Sequence, residues 1–242
     1  KAQVATLTEI KRQKSGNDIV VAAQKLRKLY ERPQNYVWAK FPLRGFKNIH
    51  LLNSQAVLVH EYIDRVRKNG YTDSVLICRS NKQCDTLTKI IRPALGLNSA
   101  QLQKGDLLLV TQNNSISDMM NGDQVVVDDV KFFERRAGLT FLNVSFHEIM
   151  SGRQLSQLMI ADVLYGNQTN LSMSQQKELF VDFAIRMREK HIKQKSDNFN
   201  RMMLRDPYLN ALRAVYGFAL TCHKTQGGEW NNVFLDLPRS FA

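Results

Sequence analysis

The stretch Val215-Tyr216-Gly217-Phe218-Ala219-Leu220-Thr221-Cys222-His223-Lys224-Thr225-Gln226-Gly227-Gly228-Glu229-Trp230 carries an apolar run into a dense polar turn, and Val233-Phe234-Leu235 resumes the apolar pattern. Such a pattern predicts a buried strand, a turn and a returning strand. The hydroxyl of Thr221, the imidazole of His223, the ammonium of Lys224, the amide of Gln226 and the carboxylate of Glu229 fall within nine positions, beside Gly227 and Gly228. Unpaired, these groups are costly to bury, and they gather where a chain meets a ligand. A histidine alone here would read as a satisfied structural residue; the company it keeps turns the reading toward binding.

Working outward, the grammar is mixed α/β. Asn17 is placed to cap a helix through Ile19, Val20, Ala23, Leu26 and Leu29 that stops at Pro33, and Ser54 opens a second helix that ends at Gly70. Ser74 to Cys78 reads as a short buried strand, followed by a polar turn at Arg79-Ser80-Asn81-Lys82 and a helix carrying Leu87, Ile90 and Ile91 up to Pro93. Helix, strand, helix in that rhythm predicts a parallel sheet, to which Ala214–Leu220 and Val233–Leu237 are assigned. Between them lies a β-rich block: Leu107 to Thr111, a hairpin turn at Asn121-Gly122, Gln124 to Val130, Leu139 to Ile149 and Gln154 to Tyr165. That block predicts a small antiparallel barrel. One long basic helix is expected from Ser172 towards Asn200.

The 242 residues carry 34 Lys and Arg against 22 Asp and Glu, a net charge of +12. Such an excess suits a polyanionic partner, most often nucleic acid, ahead of a plain solvated basic surface. No apolar run is long enough to span a bilayer, which takes about 18 residues or more. Cys78, Cys84 and Cys222 form no CxxC pair and show no zinc spacing, so reduced thiols, a cytoplasmic location and no metal site are expected. The first residue is Lys1 rather than Met, which leads to the expectation of an excised or processed piece.

Three segments resemble superfamily 1 helicases of the RecD-like and Dda-like kind. Thr221, His223, Lys224, Thr225, Gln226, Gly227, Glu229 and Trp230 match the motif V pattern T-x-H-K-[ST]-Q-G-x-[ED]-[FW]. Leu7-Thr8-Glu9-Ile10-Lys11-Arg12-Gln13 is similar to motif IV, L-x-E-x-x-R-Q. Val75 to Lys82, continuing to Ile91-Arg92, resembles the strand, turn and helix called motif IVa. Gly105-Asp106-Leu107 and Asn121-Gly122-Asp123 resemble the GD and NGD marks of an SH3-like insertion, where the turn chemistry is structural.

The resemblance implies roles. Arg12 would reach the γ-phosphate as the catalytic residue, since a guanidinium stays charged and forks onto phosphate oxygens. Arg12, Gln13, Gln226, Gly227 and Glu229 would meet the nucleotide. Arg79, Ser80, Asn81, Lys82, Thr221, His223 and Lys224 would hold single-stranded DNA through its phosphates. Capping of a helix by Ser80 or Asn81 is an equal alternative for that turn.

The departures matter as well. No G-x-x-x-x-G-K-[ST] phosphate loop occurs in the sequence, nor do motifs II, III and VI. The expected fold is therefore a RecA-like parallel-sheet α/β domain without its own P-loop, with an inserted SH3-like antiparallel β-barrel. Residues 1–103 and 214–242 would form the RecA-like domain 2A and 104–213 the 2B insertion with the basic helix. The expected function is the C-terminal motor part of an ATP-dependent DNA helicase, using ATP and Mg²⁺ in the full-length parent, with none bound to this piece, and inactive alone. Its partners would be single-stranded DNA and an N-terminal RecA-like domain of the same parent, with no membrane. The alternative is a non-catalytic nucleic-acid-binding module.

Overall fold

The computed structural model describes residues 17–31, 43–166 and 168–237. The chain divides into two compact units, residues 1–58 with 236–242 and residues 59–235. In the first unit, helix α1 (Asp18–Glu31) begins as expected at Asn17, whose side-chain oxygen accepts from the Ile19 N–H at 2.9 Å. The Asp18 carboxylate accepts from Asn48 N–H at 2.9 Å, and the Lys25 ammonium lies 5.0 Å from the Phe46 ring centre. Ser54 opens helix α2 (Gln55–Asn69) by accepting from Val57 N–H. Gly70 ends it with φ of +80°, a conformation that suits glycine.

The second unit holds two sheets. The first contains β1 (Ser74–Cys78), β7 (Leu220–Thr221) and β8 (Asn232–Asp236) in the order β7-β1-β8, with β1 and β7 parallel. Helix α3 (Asn81–Ala94) follows β1 and buries Leu87 and Ile91, while Pro93 falls in its last turn. The Asp73 carboxylate ties the entry of β1 to that of β8, accepting from the side chains of Asn69, Asn231 and Asn232 at 2.9–3.0 Å.

The second sheet is antiparallel, with the order β5-β4-β3-β2-β6: β2 (Leu107–Val110), β3 (Gln124–Arg136), β4 (Leu139–Glu148), β5 (Gln154–Ile160) and β6 (Ala214–Tyr216). Leu108, Val110, Val125, Val127, Val144, Phe146, Met159 and Leu212 pack together as its buried core. The sheet does not close into a barrel ladder. Its edge strand β5 meets the approach to β6 through one isolated bridge, Met159 with Leu212, made by Leu212 N–H to Leu158 O at 2.7 Å and Ile160 N–H to Leu212 O at 3.0 Å.

Besides the expected closed barrel, four expectations need correction. The apolar run from Ala214 to Leu220 is two strands in two sheets: β6 pairs with β2, and β7 pairs with β1. The crossing falls at Gly217, where a Cβ would stand 3.1 Å from the Leu108 carbonyl carbon, a tight approach of the chain to β2 that glycine eases. The segment Gln154 to Tyr165 ends as helix α4 (Ala161–Tyr165), whose first-turn Asp162 accepts from Thr140 N–H at 2.7 Å. Asn121-Gly122 closes no two-residue hairpin; it forms a β-turn, with Asp123 N–H to Met120 O at 3.1 Å and Gly122 at φ of +105°, inside the loop between β2 and β3.

The fourth correction concerns the long basic helix, which is broken into α5 (Met173–Glu189) and α6 (Asp197–Arg205). Between them His191 and Lys195 take positive φ, and Ser196 starts a new helix by accepting from Phe199 N–H. The break lets Phe199 fold back onto Phe183 with ring centres 5.1 Å apart, an apolar contact that a straight helix could not make.

Candidate nucleic-acid interface

The site is built where β1 and β7 leave the first sheet. Ile77 pairs with Leu220 and Cys78 with Thr221, so the two parallel strands end side by side. Parallel strands lie about 4.8 Å apart, and their carboxyl ends are where open α/β sheets present ligands. The turn Arg79-Ser80 into α3 therefore adjoins the turn Thr221–Lys224.

Each turn has its own local cause. Ser80 is the N-cap of α3: its hydroxyl oxygen accepts from Gln83 N–H at 3.3 Å, while Gln83 Oε1 accepts from Arg79 N–H at 3.2 Å. The capping alternative is thus realised for Ser80. Its effect is to hold the first turn of α3, with Asn81 and Lys82 exposed, against the end of β1. On the other side Cys222–Thr225 form a 3-10 turn, locked by Thr225 Oγ1 donating to the Cys222 carbonyl at 3.0 Å. Gly227 then takes φ of +89°. Gly228 lies under the Trp230 indole, so close that a Cβ there would overlap the ring at 2.1 Å. Trp230 in turn covers Val75, Leu109 and Leu220, which roots the polar turn in the apolar core.

A groove of about 50 Å³ runs between these turns, with room for one phosphate group or a few waters. Asn81, Thr221 and Lys224 line it, together with Cys84 and Asp85 of α3. Lys224 has no ion-pair partner among the described residues. Burial lowers its ammonium pKa, and the neighbouring Cys84 thiol partly offsets this. The Cys84 pKa is itself lowered, first by a hydrogen bond from Cys78 and further by the charge of Lys224. A half-buried ammonium with no ion-pair partner is a ready seat for a phosphate oxygen.

Arg79, His223, Gln226, Gly227 and Glu229 are exposed around this groove or beyond it, and none of them lines it. Arg12 and Gln13 lie outside the described residues. Among the described residues no group of three or more His, Cys, Asp or Glu could hold a metal ion, and no helix is long and apolar enough to cross a membrane. Cys78, Cys84 and Cys222 are free thiols.

Sequence reasoning missed one wall of the groove. Gly166, Gln168 and Thr169, which follow α4, line it as well. The polar run after Tyr165 marks a loop and nothing more, because the packing of α4 against β4 and β6 that precedes this loop has no local signal.

No family of known proteins matches the chain in sequence, and no curated protein does. Among solved structures, the chain is similar to a Pif1 helicase from Bacteroides, crystallised with ADP-AlF3 and single-stranded DNA, at 14% identity and a TM-score of 0.46. The likeness covers 96% of this chain and 46% of that one, so the chain spans about half the length of the structure it matches.

Proposed function

We propose that this chain is the second motor domain, 2A, of a RecD-like superfamily 1 DNA helicase, carrying a 2B insertion. Residues 1–103 and 214–242 form the RecA-like part in this reading, and 104–213 the SH3-like part. The observation that carries it is the register of Cys78 with Thr221. It sets the two segments that resemble motifs IVa and V next to each other, around a groove with an unpaired ammonium.

In this reading Asn81, Thr221 and Lys224 grip the phosphates of single-stranded DNA within the groove, and Arg79, Ser80, Lys82 and His223 extend the grip around its rim. Gln226, Gly227 and Glu229 follow on the same turn, exposed and free to face a nucleotide held between this domain and a first RecA-like domain. Arg12 and Gln13 belong to that nucleotide side. ATP with Mg²⁺ supplies the phosphoryl chemistry of the parent. This chain supplies a sheet edge whose turn holds the strand at one end and senses the nucleotide at the other.

The test is binding of a fluorescein-labelled oligothymidine by the purified chain, followed by anisotropy over a range of salt concentrations. Lys224→Ala is expected to weaken binding about tenfold and to lower the slope of log affinity against log salt by about one, the signature of one lost phosphate contact. Binding that is independent of salt and of Lys224 would sink the reading. Strand binding without any ATP turnover in the parent protein would favour the alternative, a non-catalytic binding module.

A further inference from the structure

The groove has a wall that the motif-like turns do not supply. Gln168 and Thr169 line it from the second sheet's side, and neither side chain has a hydrogen-bond partner among the described residues. Both can donate to a phosphate oxygen without bringing a charge. Asp85 also lines the groove. One carboxylate beside one ammonium disfavours a free phosphate dianion more than a phosphodiester, which carries a single charge.

The wall is held firmly. At its start, α4 is fixed by Asp162 on Thr140 and by the Tyr165 hydroxyl, which accepts from Leu102 N–H at 2.7 Å. At Gly166 a Cβ would fall 2.5 Å from the Asp162 carbonyl oxygen, so the tight exit from α4 requires glycine. Past Thr169, the Asn170 side-chain oxygen accepts from Arg213 at 2.7 Å and from Leu171 N–H at 2.8 Å.

Arg213 is unusual. It is only 9% exposed, its guanidinium donates to two amide oxygens, Gln112 Oε1 at 2.5 Å and Asn170 Oδ1, and it has no carboxylate partner among the described residues. Burial accordingly lowers its pKa. A buried cation held only by neutral groups is costly, so Arg213 holds its two amide oxygens tightly. Its hold on Asn170 is the contact that fixes the free end of the wall.

We propose that Gln168 and Thr169 hydrogen-bond the phosphodiester backbone seated on Lys224, and that Arg213 is a positioning residue that presents them through Asn170. This deepens the proposed function and rests on the groove being a nucleic-acid interface. The module built on the second sheet is then a working jaw of the strand grip, with the two motif-like turns as the opposing jaw.

The same anisotropy titration with oligothymidine separates the two ideas, because neutral contacts release no counterions. The double variant Gln168→Ala/Thr169→Ala is expected to weaken binding about tenfold with an unchanged salt slope, since hydrogen bonds are lost and no charge is. Asn170→Ala, which frees the wall from Arg213, is expected to reproduce that loss and to add little when combined with the double variant. Additive loss would mean that Arg213 and Asn170 act elsewhere, and would overturn their positioning role. Gln168 and Thr169 lie at the surface of a loop, so their replacement leaves the fold intact, which circular dichroism verifies. If Lys224→Ala weakens binding while the double variant binds like the parent, the second jaw is refuted and the strand-binding reading stands. If neither variant changes binding, the reading itself has failed.

Discussion

Arg92→Ala is the sharpest perturbation of the frame that brings the two sheets together. Arg92 sits near the end of α3, whose other end opens the groove, and its guanidinium forks onto Asp106 at the start of β2, with Nε to Oδ1 at 2.7 Å and Nη2 to Oδ2 at 2.8 Å. It also donates to the Gln101 carbonyl at 3.1 Å and lies 4.5 Å from the centre of the Tyr216 ring. Asp106 is fully buried. Without Arg92 its carboxylate keeps, among the described residues, only the Gln103 N–H, at 2.8 Å. A buried charge stripped of its partner costs about 3–5 kcal/mol, and the cation–π contact with Tyr216 adds about 1 kcal/mol. Arg92→Lys keeps the charge but not the fork, so an intermediate loss of about 1–3 kcal/mol is expected. Arg92→Met combined with Asp106→Asn removes both charges while leaving an acceptor for Gln103, and is expected to cost less than Arg92→Ala alone. Urea unfolding followed by helical circular dichroism measures all three, with the slope checked for constancy. A loss below about 1 kcal/mol for Arg92→Ala, or a double variant worse than the single one, would refute the argument that this pair is desolvated and couples α3 to β2.

Other consequences follow from single groups. The Asp73 carboxyl is held at about 2, first by its hydrogen bonds from Asn69 and Asn231. Because its folded pKa is depressed, its stabilisation is present above the ordinary carboxylate range and disappears as pH falls through about 2; the Tm gap between the parent and Asp73→Ala should therefore be open at neutral pH and closed in strong acid. Among the thiols, exposed Cys222 should react first with iodoacetamide, and Lys224→Met should slow labelling of Cys84 by removing a charge that favours its thiolate, readable by peptide mass mapping. Ser196→Ala removes the cap that breaks the basic helix and should cost about 1 kcal/mol in urea melts.

Local structure was legible wherever one residue decides one bond. Asn17, Ser54 and Gly70 mark helix ends because a side-chain oxygen or a positive φ acts within a few residues, and the strand Ser74–Cys78 follows from its unbroken apolar run. Ser172 likewise opens α5 with a capping box, but the basic run beyond it hid the helix break, since lysine favours a helix unless packing bends it. The candidate site was half legible: Thr221 to Lys224 and Arg79 to Lys82 stood out by composition. The wall formed by Gln168 and Thr169 did not, since a polar loop looks the same wherever it lands.

The sequence by itself determined the helix and strand boundaries set by caps and apolar runs, the polar turn after β7, and the positive charge that favours a phosphate-bearing partner. Only the tertiary structure decided that Ala214–Leu220 belongs to two sheets, that Cys78 and Thr221 end side by side, and that Gln168 and Thr169 line the groove while the buried Arg213 binds the neighbouring Asn170. The physical reason is range. Caps and turns act between near neighbours in the chain, whereas strand pairing and burial join residues far apart, and only the packed core selects which of them meet.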